Sequence, residues 1–311
     1  MASFFRSATG KAVEPCLIKV VQTRCGPVEY AEAGTGDPIL YFHGAGVTGD
    51  VMVSVESGLI ADGFRLIAPN RPGYGRTPLA PHRSAADCAG VAAALLDSLG
   101  IACVSVMGSS GGAAFAASFA ATQPSRTASL VLLCPQVHRW DHKRWLPATS
   151  RWTLPLLRRP FLRALLLRLY RVQLRRMTAA QFLKMEAGDR YPEVADDPAA
   201  TALCEATLAS TVQGAGYPGF ENDFVVFIRE DIIGPHGTVY APTLVIHDET
   251  DPMAPVDHVA WFAANCASCE TVPVHAGGHL IWVGAGADVM HKARVRFLKE
   301  QARRAAEAGS S

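Results

Sequence analysis

Ser110 stands at the centre of Gly108-Ser109-Ser110-Gly111-Gly112, a G-x-S-x-G pattern. The apolar run 104–107 precedes it and an Ala-rich stretch over 111–121 follows, ending before Pro124. This order predicts a strand, a sharp turn and a helix. A nucleophile on such a turn is held in a strained backbone conformation where bulky neighbours would clash, and the glycines meet that demand. The helix brings the positive end of its dipole to the serine, which favours developing negative charge. A second glycine-rich loop, His43-Gly44-Ala45-Gly46, follows the apolar run 39–42. Ala45 is expected to give one backbone N–H to an oxyanion, and Gly111 the other. Gly44 and Gly46 would let the backbone approach a substrate closely. His43 reads as structural.

The elements that must carry these loops alternate between short apolar runs and helical patterns. Leu17–Val21 and Val28–Ala31 read as an opening strand pair, Ile39–Phe42 as a third strand and Phe64–Ala68 as a fourth. Ser84 is suited to cap a helix that runs to Leu99, with Gly100 at its end. Val104–Met107 and Leu130–Leu133 follow as strands on either side of the Ala-rich helix. The alternation predicts an α/β fold, with a mostly parallel central sheet flanked by helices. It stops near Cys134 and resumes with Leu244–His247, Glu270–Val274 and a last helix over 288–302, before a frayed tail. Residues 136–235 between are helix-rich and Arg-rich. The expected organisation is a core of 1–135 and 236–311, with 136–235 as an inserted helical cap.

The 311 residues are 49% hydrophobic and 18% charged, the composition of a globular enzyme rather than a disordered chain. A net charge of +1 gives no reason to expect nucleic acid as a partner. Eight scattered cysteines read as reduced residues, and Cys266-Ala267-Ser268-Cys269, without a second pair, as a chance spacing and not a zinc site. Residues 1–15 contain no apolar stretch fit for a signal peptide, and no segment reads as a transmembrane helix. A cytoplasmic location is expected.

Five segments together resemble the α/β-hydrolase superfamily: His43–Gly46, Arg71-Pro72-Gly73-Tyr74-Gly75-Arg76-Thr77, Gly108–Gly112, His247-Asp248-Glu249-Thr250-Asp251-Pro252 and Gly277-Gly278-His279. The resemblance covers about 17–135 and 240–300. It implies the chain order nucleophile, acid, base. Ser110 is then the nucleophile, Asp251 the acid after the strand at 244–247, and His279 the base after the last strand. Asp248 stands where the family pattern has glycine, so Asp248 and Glu249 are the competing acids, and His275 the competing base. His258 and His291 read as structural, and Arg71–Thr77 as a turn near the pocket. A serine, where some members of the superfamily carry a carboxylate nucleophile, points to acyl transfer. No cofactor or metal is expected.

The cap has one strong feature. Residues 139–176 hold eleven arginines and lysines against the single acid Asp141, a local charge of +10 that leaves about −9 on the rest of the chain. Three readings are open: a solvated helical face paired with acids of the core, recognition of an anionic substrate, or attachment to an anionic membrane surface. The resemblance makes the cap a lid over the nucleophile. Trp140, Trp145, Trp152 and Arg163 are the candidates for contact with the substrate. The expected activity is serine hydrolysis of a small carboxylic ester, including one with a free carboxylate such as a phthalate monoester. Alternatives are a proline iminopeptidase-like amidase, a carbon–carbon hydrolase of ring-cleavage products, and a non-catalytic ligand-binding protein of the same fold.

Overall fold

The computed structural model describes residues 16–147, 150–233 and 238–308. The readings made for residues 1–15 and for the tip of the tail at 309–311 lie outside these residues. Eight strands form one sheet in the order β1-β2-β4-β3-β5-β6-β7-β8. They are β1 (Leu17–Thr23), β2 (Gly26–Ala33), β3 (Asp37–Phe42), β4 (Phe64–Pro69), β5 (Val104–Ser109), β6 (Thr127–Leu133), β7 (Thr243–Asp248) and β8 (Cys269–Val274). The first two ladders, β1–β2 and β2–β4, are antiparallel, and every other pairing is parallel.

Period-2 alternation divides each central strand between two cores. Leu40 and Phe42 of β3 face α3 (Ala85–Ser98) and α4 (Gly112–Thr122). Ile39 and Tyr41 face α1 (Gly49–Val55) and α12 (Ala287–Ala308) on the opposite side. Burial on both faces is why β5, β6 and β7 read as continuous apolar runs. Ser84 caps α3 through a reciprocal capping box with Asp87, and Gly100 beyond its end adopts a φ of +69°.

Between β6 and β7 the chain leaves the sheet. It forms α5 (Leu154–Leu157), α6 (Pro160–Leu174), α7 (Ala179–Ala187), α8 (Tyr191–Val194), α9 (Pro198–Gly214) and α10 (Pro218–Arg229). These inserted helices lie against the loops at the carboxyl ends of the strands. A Cβ on Gly214 of α9 would fall 1.9 Å from the Gly46 carbonyl oxygen, and one on Gly219 of α10 would fall 2.5 Å from the Tyr74 ring. Glycine at both places permits helix and loop to touch.

Three short helices carry no signal that sequence periodicity detects: α1, α2 (Ser57–Ala61) and α11 (Asp257–Ala264). In α1, Val51, Val53 and Val55 alternate as in a strand, and Thr48 at its start gives no side-chain cap. The last helix runs past the expected end at Ala302, because the residues beyond are good helix formers and add an Arg303–Glu307 pair at 3.8 Å.

Candidate functional site

Ser110 is one of two described non-glycine residues with positive φ, at +52°. The turn is fixed from both sides, since Ser110 N–H donates to the Leu133 carbonyl at 2.9 Å and its own carbonyl accepts from Gln136 N–H at 3.1 Å. The surrounding glycines are sterically required. A Cβ on Gly108 would lie 2.7 Å from the Ala116 Cβ, and one on Gly112 would lie 2.2 Å from the Phe42 carbonyl oxygen.

The loops after β7 and β8 bring two more side chains to this turn. Ser110 Oγ lies 2.9 Å from His279 Nε2, and His279 Nδ1 donates to Asp251 Oδ2 at 2.7 Å. The other Asp251 oxygen accepts from the backbone N–H groups of Met253 and Ala254, at 2.7 and 2.9 Å, so the carboxylate is fully engaged. Burial disfavours a charged imidazole at His279, but the adjacent Asp251 carboxylate outweighs it and holds the histidine well above its ordinary pKa. A hydroxyl so placed can pass its proton to a neutral imidazole, while the carboxylate orients the ring and stabilises its cation.

The competing residues are engaged elsewhere. Asp248 accepts from Thr250 N–H and Oγ1, from Ala276 N–H at 2.9 Å and from Arg190 at 3.3 Å. It therefore ties the β7 end to the loop that carries His279. His275 pairs with Glu193 at 2.7 Å on the half-exposed surface. His258 accepts from Val137 and His138 N–H and donates to the Trp145 carbonyl, as a buried neutral imidazole whose pKa burial lowers to about 4.

The 43–46 loop approaches Ser110 closely, since a Cβ on Gly44 would meet the Ser110 Cβ at 3.4 Å. Neither Ala45 N–H nor Gly111 N–H donates a hydrogen bond to any described residue. Both are thus free to serve an incoming acceptor. His43 holds the loop from below. Its Nδ1–H donates to the Gly44 carbonyl at 2.9 Å and its Nε2 accepts from Arg71 N–H at 3.1 Å. That arrangement needs the neutral ring, which burial and the Arg71 charge enforce by lowering its pKa.

Arg71 is itself buried and forms a bidentate ion pair with Asp223 of α10, while its Nε donates to the His43 carbonyl at 3.1 Å. Tyr74 donates to Asp223 at 2.6 Å and accepts from Gly46 N–H at 3.1 Å. This network clamps the inserted helices to the loop, a larger role than that of a turn near the pocket. Arg71 and Tyr74 stand in a recognisable motif, but Asp223 lies in a helix that gave no sign of its partner.

Two further residues near the serine have no sequence signal. Phe227 of α10 overhangs the turn, with its ring 2.7 Å from where a Gly111 Cβ would be. Glu186 of α7 is buried, and its carbonyl accepts from His279 N–H at 3.0 Å. Burial, with the nearby Asp251 charge, raises the Glu186 carboxyl to about 7, although His279 opposes the shift.

The expected substrate contacts fare differently. Trp152, expected to contact substrate, is instead 83% exposed, with Lys143 Nζ 5.4 Å from its ring centre. Arg163 is buried within the insertion, donating to the Leu157 carbonyl at 3.2 Å and pairing with Glu221 at 3.6 Å; its charge is already answered. Trp145 stacks on His138 with ring centres 3.8 Å apart, which makes it packing rather than lining. Trp140 packs on Phe227, the ring that overhangs the Ser110 turn, with ring centres 5.2 Å apart.

Cys134 Sγ lies with the Asp251 and His279 ligand atoms inside 4.8 Å. The set is poorly suited to a metal. Burial keeps the Cys134 thiol protonated by raising its pKa, and Asp251 has both oxygens occupied.

Residues 37–285 match the family described as alpha/beta hydrolase fold, and the chain belongs to that family. An uncharacterized hydrolase, YcgS of Bacillus subtilis (strain 168), is 36% identical over 115 residues, which are 37% of this chain and 40% of that protein. An alpha/beta hydrolase fold protein from Nakamurella multipartita superposes with a TM-score of 0.68 at 26% identity, over 90% of this chain and 98% of its own. A thermophilic esterase from Thermogutta terrifontis shares the fold at 19% identity, with a TM-score of 0.63 over 92% and 99% of the two chains.

Proposed function

We propose that this protein is a serine esterase that cleaves a small carboxylic ester through an acyl-enzyme. The observation that carries the reading is the continuous chain from Ser110 Oγ to His279 at 2.9 Å and on to Asp251 at 2.7 Å, on a turn with φ +52°. With His279 neutral, its Nε2 takes the Ser110 proton as Oγ attacks the ester carbonyl. The carbonyl oxygen becomes an oxyanion between Ala45 N–H and Gly111 N–H. The imidazolium then returns the proton to the leaving alkoxide, which departs as the alcohol. Water, deprotonated by the same imidazole, attacks the acyl-serine and releases the carboxylic acid, restoring Ser110.

The inserted helices serve as a lid in this reading. Phe227 and Trp140 give the acyl pocket an apolar wall. The cap arginines that prompted a half-ester substrate are mostly exposed, and the buried ones, Arg163 and the core's Arg71, already face Glu221 and Asp223. An uncharged ester fits this arrangement better than a phthalate monoester. A reducing, cytoplasmic setting accords with eight free cysteines.

The test is hydrolysis of a p-nitrophenyl ester series by wild type and Ser110→Ala, beside a proline amide and a dienoate. Ester turnover that disappears in the variant is the expected result. Ester turnover that survives Ser110→Ala, or turnover of the amide or dienoate alone, contradicts the proposal.

A further inference from the structure

Helix α6 has two faces with opposite roles. Arg163, Leu167 and Leu174 are buried, and Leu167 packs in one cluster with Tyr74 and Phe220 beside Ala45. The inner face therefore lies above the loop next to the serine. The outer face carries Phe161, Leu165, Leu169 and Val172, all exposed, with Phe161 at 78%. Their spacing of four, four and three places them on a single stripe. Trp152 and Leu156 are exposed just before it, Leu156 on α5. Half of the twelve exposed large hydrophobic residues among the described ones thus fall within 152–172. Scattered exposure of single residues is ordinary, but a continuous stripe is not.

The charges around this stripe are uniform in sign. Arg151, Arg158, Arg159, Arg168, Arg175 and Arg176 are exposed on the same segment. Of the basic residues in 139–176, the ones ion-paired to a described residue are Arg139, with Asp141, and Arg163, with Glu221. The acids of the core do not cover this surface, so a salt-bridged solvated face does not account for it. A second copy of the chain would bring a segment of charge +10 against another of +10, and like charges oppose that contact. What fits is a partner that is apolar within and anionic at its surface.

We propose that the α5–α6 face is a docking surface for anionic phospholipid bilayers. Phe161, Leu165, Leu169 and Trp152 enter the headgroup–acyl boundary while the arginines meet lipid phosphates, as an amphipathic helix lies in an interface. No described helix is long and apolar enough to cross a membrane, so the attachment is peripheral. Docking would set the lipid surface about one helix diameter, roughly 10 Å, from the loop that carries Ala45. This inference stands apart from the hydrolytic proposal, because binding can be read without turnover.

The test is flotation of the full chain with vesicles of equal parts phosphatidylglycerol and phosphatidylcholine, and with vesicles of phosphatidylcholine alone. Wild type is expected to float with the anionic vesicles and to be released by high salt. The variants F161S/L165S and R158E/R159E should each lose about tenfold or more in partitioning, while keeping wild-type turnover of a soluble ester. Failure to float, equal flotation with neutral vesicles, or unchanged flotation of both variants overturns the proposal. So does a concentration-dependent dimer that F161S/L165S abolishes, which would assign the face to a second copy. Binding seen only after removal of residues 1–15 would assign it to the chain's own N-terminal segment and overturn it as well.

Discussion

Two buried networks meet beside the 43–46 loop, and they come from different parts of the chain. Ser110, His279 and Asp251 all stand on loops at the carboxyl ends of core strands. The Arg71–Asp223–Tyr74 network instead joins a core loop to α10 of the insertion. The first network holds a transferable proton and a histidine poised by a carboxylate. The second holds charges that balance one another, with Tyr74 kept neutral because burial and Asp223 push its phenol well above the ordinary pKa. In the proposed reaction labour is divided: the core loops would supply the groups that react, and the insertion would steady the backbone donors that receive the charge.

Breaking the first network has the largest expected effect. Ser110→Ala or His279→Ala should lower kcat on the order of 10⁶-fold, while Asp251→Ala loses about 10⁴-fold, measured under single-turnover conditions. Equal, mild losses in all three would mean that the hydrogen-bonded chain does not act as a unit.

Breaking the second network should register first as stability. Asp223→Asn leaves the Arg71 guanidinium buried without its counter-charge, at a cost of about 3–5 kcal/mol in denaturant unfolding. Tyr74→Phe is the gentler probe, because it removes only the hydroxyl that accepts from Gly46 N–H. It should cost about 1–2 kcal/mol and lower kcat more than it raises KM, since the loop it steadies serves the oxyanion. A Tyr74→Phe enzyme with wild-type kcat would separate the clamp from the chemistry.

Glu186 belongs to the insertion yet lies close enough to His279 and Asp251 to interact with both charges. His279 must be neutral to act as base, and Asp251 holds its pKa above the ordinary value. Activity should therefore rise with pH through a point above 6.5, and be lost as pH falls through it. Glu186 ionises near pH 7 and adds negative charge beside the imidazole, which prolongs protonation of His279. Glu186→Gln should move the rising limb of kcat/KM to lower pH by less than about one unit. A shift to higher pH would contradict the assigned electrostatics.

The two networks also differ in how far they can be read from sequence. Ser110 is legible because a strained strand-to-helix turn demands Gly108 and Gly112 at fixed offsets, and the steric closeness at both positions is why. His279 is legible through Gly277 and Gly278, which pack against Ala187 and Leu280 where a Cβ would collide. Asp251 has Asp248 and Glu249 as rivals in the sequence, and what separates it is tertiary: Asp251 meets His279 at 2.7 Å, while Asp248 is taken up by Ala276 and Arg190. Asp223, Phe227 and Glu186 are not legible. Each comes from a helix of the insertion whose spacing does not record which inward residue meets which core loop, because that depends on packing. Trp152 shows the reverse error, because its aromatic type suggested a pocket while the turn before α5 leaves it 83% exposed. The strand order of the sheet is equally hidden, since β3 lies between β4 and β5 and no local pattern records that crossover.

The most direct measurement is fluorophosphonate labelling followed by intact-mass and peptide mapping, on wild type and Ser110→Ala across pH. One adduct is expected, on Ser110, formed at a rate that rises with pH as His279 loses its proton, and none in the variant. Labelling at another residue, or labelling that persists in Ser110→Ala, would contradict it.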